Sequence, residues 1–246
     1  MIELDGVRKE YGDVVAVQDL TLSVGGGQFH CLIGPNGSGK TTVFRLLLGL
    51  ARPTAGTLSV EGGTVGCGFQ RPNFYPDLTV RENLQVFAGL VGSPSREWRE
   101  TVVDELRLRR AMDRPAHDLS GGFARKLDLA LGLLKRPDYL LLDEPLAALD
   151  DVSKERLLDF LSSYADDATV LVSTHHVGDF EPHTDRLTVM HEGTVVLDAR
   201  PEHIDLDGHA SLQAYYVALV RQQEQAASDR DDDARQPGRR PGAGGE

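Results

Sequence analysis

Residues 34–41 read Gly34-Pro35-Asn36-Gly37-Ser38-Gly39-Lys40-Thr41 and match the phosphate-binding pattern G-x-x-x-x-G-K-[ST] at every fixed position. A mostly apolar run at residues 28–33 precedes this loop, and apolar residues at helical spacing follow it as far as Leu50. Glycines let successive backbone N–H groups turn inward around phosphates, and the N-terminus of the following helix adds positive potential. The alternative, a chance glycine-rich turn, does not account for the strand before the loop and the helix after it. The stretch therefore predicts a strand–loop–helix unit that binds a nucleotide, with Lys40 on the phosphates and Thr41 on Mg²⁺.

A second acidic site follows another apolar run, residues 139–142, which ends in Asp143 and Glu144. In open α/β sheets, ligands gather at the carboxyl ends of the strands, so this pair is expected to face the phosphate loop. Asp143 can then hold Mg²⁺, and Glu144 can polarise the water that attacks the γ-phosphate. The simpler interpretation is a strand followed by an acidic helix cap, and the phosphate loop upstream disfavours it.

Strands that alternate with helices predict an α/β fold with a mostly parallel sheet, here a phosphate-loop NTPase core. Residues 169–173 form another apolar run, and alternating apolar residues before the loop predict a small N-terminal antiparallel β-subdomain. Residues 71–136 have helical patterns, one of them over 95–112, and predict an inserted helical subdomain. The folded unit is expected to cover 1–221. Residues 222–246 are almost free of apolar side chains and predict a disordered polar tail.

Composition excludes several classes of protein. The 246 residues carry a formal net charge of -12, from 38 acidic and 26 basic residues, which disfavours a nucleic-acid-binding protein. No apolar run is long enough to span a bilayer, the N-terminus has no secretory pattern, and the two cysteines form no metal-type cluster. A salt-rich cytoplasm and a GC-rich genome both account for the scarcity of lysine beside arginine, and this choice stays open.

A third motif, Leu119-Ser120-Gly121-Gly122-Phe123, separates this chain from most phosphate-loop proteins. With it, the sequence closely resembles the ATP-binding-cassette (ABC) ATPases, the nucleotide-binding subunits of ABC transporters. The resemblance covers about residues 1–205. The family's motifs occur in the family's order: Tyr11 at the adenine position, the loop from Gly34 to Thr42, Gln70, the signature Ser120, Gly121 and Gly122, the strand ending at Asp143 and Glu144, Asp150 of the D-loop, and the switch His175.

The resemblance implies a role for each of these positions. Two cassettes would sandwich two ATP molecules, each between the phosphate loop of one copy and the signature of the other. Tyr11 would stack on adenine, and Ser120, Gly121 and Gly122 would contact the nucleotide across the dimer. Asp150 of the D-loop would also belong to the nucleotide-binding residues. Mg²⁺ would be held by Thr41, Gln70 and Asp143. Glu144 and His175 would be the catalytic pair.

Some of these positions have plainer interpretations, and three depart from the family pattern. Tyr11 alone fits core packing, Gln70 alone fits a polar loop residue, and the adjacent His175 and His176 lack a third metal ligand. Phe123 replaces the usual glutamine of the signature, and the basic stretch after it is a looser match. His176 stands where an acidic or other polar residue often follows the switch histidine. No departure removes a group that performs chemistry.

The resemblance implies an ATPase subunit of an ABC transporter, with ATP and Mg²⁺ bound and with a separate multi-spanning permease as partner. The second cassette would be identical or different, and no nucleic acid is expected. The expected location is cytoplasmic, peripheral on the inner face of the cell membrane. Residues 76–90 favour the exporter-type branch. A soluble ABC ATPase of DNA repair or translation, and a nucleotide-binding regulator, remain as alternatives, and the cargo is not encoded in the motifs.

Overall fold

The larger of two sheets forms the centre of the molecule in the computed structural model, which describes residues 1–92 and 95–235. Its six strands are, in spatial order, β5 (Val65–Gly68), β6 (Tyr139–Asp143), β7 (Thr169–Thr174), β3 (Phe29–Ile33), β8 (Arg186–His191) and β9 (Thr194–Ala199). The first five run parallel, and β9 pairs antiparallel with β8. The three predicted apolar strands are β3, β6 and β7, and each is buried along its whole length, as expected of central parallel strands.

The smaller sheet is antiparallel and has the order β2-β1-β4, formed by β1 (Ile2–Tyr11), β2 (Val14–Val24) and β4 (Ala55–Val60). Ile2, Leu4 and Leu22 are buried and alternate with exposed residues, which is the pattern that predicted this sheet. The buried face packs with α1 against one face of the large sheet, where it meets Leu141 and Leu171.

Within the described part of the chain, six α-helices complete the fold: α1 (Lys40–Leu47), α2 (Val80–Leu90), α3 (Arg96–Glu105), α4 (Gly121–Leu133), α5 (Asp151–Ala165) and α6 (Leu212–Arg235). The opposite face of the large sheet is covered by α2–α6, which share one hydrophobic core with Leu140 and Leu142. Helices α2, α3 and α4 all lie between β5 and β6 in the chain. The predicted α/β class, with an antiparallel subdomain and inserted helices, is confirmed.

Two helices differ from the sequence prediction. The helical pattern over 95–112 ends early, because α3 stops at Glu105 and Arg107 takes the positive φ of 52°. The tail predicted to be disordered from residue 222 begins inside α6, which continues to Arg235. Glutamine, glutamate and alanine at 222–226 are good helix formers that extend a helix already anchored by buried side chains at its start. Residues 236–246 lie outside the described residues, so the tail stays a prediction there.

None of the helices in the described ranges, 1–92 and 95–235, combines the length and the apolar character needed to cross a membrane.

His30 on β3 gives the stability of this fold a pH dependence. The ring is fully buried, its Nε2 lies 2.7 Å from Thr188 Oγ1, and burial lowers the pKa of His30 from 6.5 to about 4. Between pH 6.5 and pH 4, His30 is therefore protonated in the unfolded chain but neutral in the folded chain. The free energy of unfolding falls as the pH is lowered through this range. Urea unfolding at pH 7 and pH 5 is expected to show a loss of about 2 kcal/mol from this residue. The His30→Gln variant should show a smaller difference between the two pH values; an equal difference would assign the effect to other groups.

Candidate functional site

The phosphate loop connects β3 to α1 and is closed tightly by its glycines. Gly39 has a φ of 103°, and a Cβ placed there would lie 2.6 Å from the carbonyl oxygen of Ala16. The Lys40 ammonium lies across the loop and donates to the carbonyl oxygens of Gly34, at 2.7 Å, and Pro35, at 3.0 Å. The Lys40 ammonium is thus held by backbone carbonyl oxygens of the loop at the start of α1. The N-terminus of a helix is a position at which an anion is stabilised.

Two acidic residues tune the charge of Lys40. Burial lowers the pKa of the Lys40 ammonium, while Glu144 and Asp143 act in the opposite direction and favour its charged form. Because Lys40 is buried, with 7% of its surface exposed, its attraction for a phosphate is screened less than that of a cation in open solvent.

Asp143 ends β6 and faces the phosphate loop, as predicted from the strand order. One of its carboxylate oxygens accepts a hydrogen bond from Thr41 Oγ1 at 3.1 Å, and the other accepts from the hydroxyl of Ser173. A hydroxyl and a carboxylate oxygen this close match two neighbouring ligands of an octahedral Mg²⁺, which prefers oxygen donors at 2.0–2.1 Å. The donor set therefore fits Mg²⁺.

Glu144 takes a left-handed backbone conformation with a φ of 51°, which turns its side chain away from the strand and towards β7. Its Oε1 lies 2.6 Å from His175 Nδ1, and its Oε2 accepts from Thr174 Oγ1 at 3.4 Å. A non-glycine residue in this conformation is strained, and such strain is concentrated at functional sites. The pair of Glu144 and His175 has the geometry of a base held by an orienting group.

A cavity of about 420 Å³ is lined by Lys40 and by the two acidic residues, whereas His175 is not among the residues of its wall. Its wall includes Lys40, Thr41, Thr42, Asp143 and Glu144, and also Asn36, Gly37, Gly39, Gln70 and the residues Val14–Ala16 of β2. Tyr11 lies outside this wall, 44% exposed at the end of β1, with the Lys9 ammonium 4.8 Å from its ring centre. The adenine contact of Tyr11 stays a prediction.

The signature lies with the D-loop rather than with the cavity. Ser120 caps α4, and a Cβ on Gly122 would lie 3.0 Å from the carbonyl oxygen of Ala148. Asp150 caps α5 by accepting from the backbone N–H of Ser153 at 2.9 Å. Among the residues that line the 420 Å³ cavity, neither Ser120, Gly121 and Gly122 nor Asp150 occurs. One chain thus presents two separate groups of predicted site residues.

Two buried residues of α4, Arg125 of the basic stretch after the signature and Asp128, which lies in no motif, connect the site to the loop around Gln70. The Asp128 carboxylate accepts from the backbone N–H of Phe69 at 3.0 Å and of Asn73 at 2.9 Å. The Arg125 guanidinium donates to the carbonyl oxygens of Phe69, of Asp143, at 2.7 Å, and of Glu144. The helix that begins with the signature therefore grips both the loop around Gln70 and the end of β6.

Arg125→Met is expected to lower the free energy of unfolding by about 3–5 kcal/mol, because it leaves Asp128 and three carbonyl oxygens buried without this donor. Urea unfolding of the purified chain measures the loss. The control is Arg81→Met, which removes the same charge from an exposed pair with Asp113 and should cost about 1 kcal/mol or less. Equal losses in the two variants would show that the buried contacts of Arg125 carry no special weight.

A second unpredicted contact reaches the loop after His175 from α6. The Gln213 carboxamide oxygen accepts from the backbone N–H of Val177 at 2.8 Å and of Gly178 at 3.2 Å. No local pattern pointed to Gln213, which lies outside every motif. The C-terminal helix thus fixes the backbone that follows the switch histidine.

Comparison with known proteins identifies the family to which the sequence is similar. Residues 17–147, more than half of the chain, match the family described as "ABC transporter". The chain is 36% identical to the Nod factor export ATP-binding protein I of Ralstonia nicotianae over 219 residues, which are 83% of this chain and 68% of that protein. It is 34% identical to the bacitracin transport ATP-binding protein BcrA of Enterococcus faecalis over 209 residues, 80% of this chain and 68% of that protein.

A solved structure agrees with the fold. A dimeric ATP-binding cassette in a post-hydrolysis state, bound to ADP and Pi, superposes with a TM-score of 0.73 at 26% identity. The match covers 83% of this chain and 100% of that one.

Proposed function

The chain belongs to the ABC transporter ATPase family, and on that premise we propose that it is the subunit that drives an exporter by ATP hydrolysis. The observation that carries this proposal is the single cavity in which Lys40, Thr41, Asp143 and Glu144 meet. The printed functions of the two relatives, Nod factor export and bacitracin transport, support export as the direction. A soluble ABC ATPase of DNA repair or translation is not favoured by these relatives.

In this proposal, ATP is held by its phosphates. The Lys40 ammonium and the backbone N–H groups of the phosphate loop bind and orient them, and Thr41, Asp143 and Gln70 would hold Mg²⁺, which supplies charge neutralisation when bound. Glu144 orients the attacking water and accepts its proton at a carboxylate oxygen. His175, 2.6 Å from Glu144, holds that carboxylate in place and contacts the γ-phosphate.

We propose that the complete site requires a second cassette, identical or different. The signature residues Ser120, Gly121 and Gly122 lie with Asp150 outside the cavity of their own chain. The start of α4 presents backbone N–H groups and a hydroxyl, which suit a phosphate brought by a partner copy. The dimeric form of the similar cassette bound to ADP and Pi supports this arrangement.

The membrane subunit is proposed to dock beside Gln70. A groove of about 680 Å³ includes Gln70 in its wall and is lined by apolar side chains such as Phe44, Leu48 and Leu50, the last of them 65% exposed. Gln70 also lines the nucleotide cavity, so a partner seated in the groove would sense the nucleotide through this residue. The protein would then be located in the cytoplasm, peripheral on the inner face of the cell membrane.

Affinity capture tests this function. The full chain is tagged in its own cells, membranes are solubilised at native salt, and the proteins that co-purify are identified. A multi-spanning membrane protein is the expected partner, and Leu50→Asp should lose it while ATP affinity is unchanged. Recovery with ribosomal or DNA-repair proteins alone would replace the transporter by the soluble ATPase.

A further inference from the structure

A small cavity of about 120 Å³ between the end of α3, α4 and α5 is lined by a cluster of basic residues, together with the apolar side chains of Leu106, Leu149, Val152 and Leu157. Four of its wall residues are cations, Arg107, Arg110, Lys126 and Arg156, and two are acids, Glu105 and Asp150. The cluster is unusual in a chain whose net charge is -12, because positive charge is scarce and the four cations repel one another. The cavity lies beside α4 and does not belong to the nucleotide cavity described above.

Both acids of the cavity are already engaged. Asp150 accepts from the backbone N–H and from the hydroxyl of Ser153, each at 2.9 Å, and Glu105 pairs with Arg156 at 3.3 Å. Within residues 1–92 and 95–226, no acidic side chain lies within ion-pair distance of Arg107 or Arg110. Arg107 and Arg110 thus line the cavity without an ion-pair partner among the side chains of residues 1–92 and 95–226.

Lys126 is the buried member of the cluster, with 8% of its surface exposed, and its Nζ donates to Ser153 Oγ at 2.7 Å. Burial lowers the pKa of Lys126; Asp150 opposes this, and Arg110, Arg107 and Arg156 lower the pKa further. The three guanidinium groups therefore act on the ammonium across the cavity.

The backbone is strained at one member of this cluster. Arg107 has the positive φ of 52° that ends α3, a conformation in which a side chain is strained. The Arg110 guanidinium lies 4.8 Å from the centre of the Phe123 ring, and the Lys126 ammonium lies 5.6 Å from the same centre. The phenylalanine that replaces the usual signature glutamine thus packs against two of the four cations.

We propose that this cavity is a binding site for a phosphate-type dianion. Four cations and two acids leave two positive charges, which match a dianion, and guanidinium groups bind phosphate oxygens in pairs. At about 120 Å³, the cavity is far smaller than the roughly 300–1,000 Å³ of sites for drug-sized ligands, so it selects one tetrahedral group rather than a nucleotide. The ligand is free inorganic phosphate or the phosphate of a small monoester.

Equilibrium dialysis with radiolabelled inorganic phosphate tests the site on the full chain. Ionic strength is held constant with KCl, and a saturating non-hydrolysable ATP analogue with Mg²⁺ fills the phosphate loop. One phosphate per chain is expected to bind, and Arg107→Gly should weaken its binding at least about tenfold, the loss of one charge-assisted contact. Because glycine tolerates the φ of residue 107, the thermal unfolding temperature of this variant should be unchanged or higher.

The matched control is Arg109→Gln. Arg109 pairs with Asp104 and with Glu100, at 2.7 Å, away from the cavity, so the control removes the same charge without touching the cluster. Phosphate affinity should be unchanged in this variant. Equal weakening by both variants would show that phosphate responds only to the general positive charge of the region and not to a built site. If the parent chain bound no phosphate at all, the proposal would be overturned. Glycerol 3-phosphate as competitor distinguishes the two sources: displacement shows that a monoester is accepted, and no displacement leaves free phosphate as the ligand.

Discussion

Glu144→Gln is expected to lower the rate of ATP hydrolysis by about 10²–10⁴-fold while ATP still binds. The amide keeps the shape of the carboxylate but cannot accept the proton of the attacking water. Its oxygen can still face His175, whose Nδ1 lies 2.6 Å from the native carboxylate, so the site should stay assembled. The variant should therefore accumulate as an ATP-bound pair of cassettes, because the step that loosens the pair is blocked.

Two measurements separate these effects. Phosphate release in a single turnover reports the chemical step, and size-exclusion chromatography with and without ATP reports the paired state. Glu155→Gln, an exposed change on α5, serves as the control and should hydrolyse ATP at the parent rate. If Glu144→Gln also kept the parent rate, Glu144 would not be the base, and the proposed catalytic pair would have to be abandoned.

Lys40→Ala is expected to weaken ATP binding by roughly 10²–10⁴-fold. The ammonium is proposed to make two charge-assisted hydrogen bonds to the phosphates, and each is worth about 1.5–3 kcal/mol. Lys40 spans the loop by donating to the carbonyl oxygens of Gly34 and Pro35, at 2.7 and 3.0 Å, and it is the only lysine in the wall of the 420 Å³ cavity. No other side chain of that wall can take over its positive charge.

Isothermal titration calorimetry with ATP and Mg²⁺ measures the loss. Lys154→Ala removes a lysine of α5 that pairs with Asp151 and Asp179, and it should leave ATP affinity unchanged. Thermal unfolding shows whether Lys40→Ala is still folded. A folded variant with the affinity of the parent chain would exclude the proposed role of the phosphate loop.

The sequence predicted the parts of the site whose chemistry is local. The phosphate loop could be located because a strand, a glycine pattern and a helix follow one another within about twenty residues. The position of Asp143 opposite the phosphate loop, which carries Thr41, followed from a general rule. The carboxyl ends of parallel strands lie at the same edge of a sheet, and ligands bind there. The 3.1 Å contact between these two side chains agrees with that reasoning.

Contacts between residues that are far apart in the chain could not be predicted from the sequence patterns. Arg125 reaches a carbonyl oxygen 56 residues away, and its helical periodicity is the same as that of any buried helical residue. The early end of α3 was missed because Arg107 adopts a conformation that favours glycine, and an arginine gives no signal for it. The sequence predicts a disordered tail from residue 222 because the residues there are polar, and nothing in that composition shows that they continue a helix whose first turns are anchored by Leu212 and Tyr216.

The contact of Gln213 with the loop after His175 is expected to set a lower limit on the size of a working ATPase. The family match ends at residue 147 and the motifs end at His175, so both suggest that the chain could be shortened well before α6. A chain cut before residue 213 would retain every motif but would lose the acceptor for the N–H groups of Val177 and Gly178. Chimeras that exchange cassettes between transporters should therefore place the junction beyond the first turns of α6, so that each switch histidine keeps its own C-terminal support.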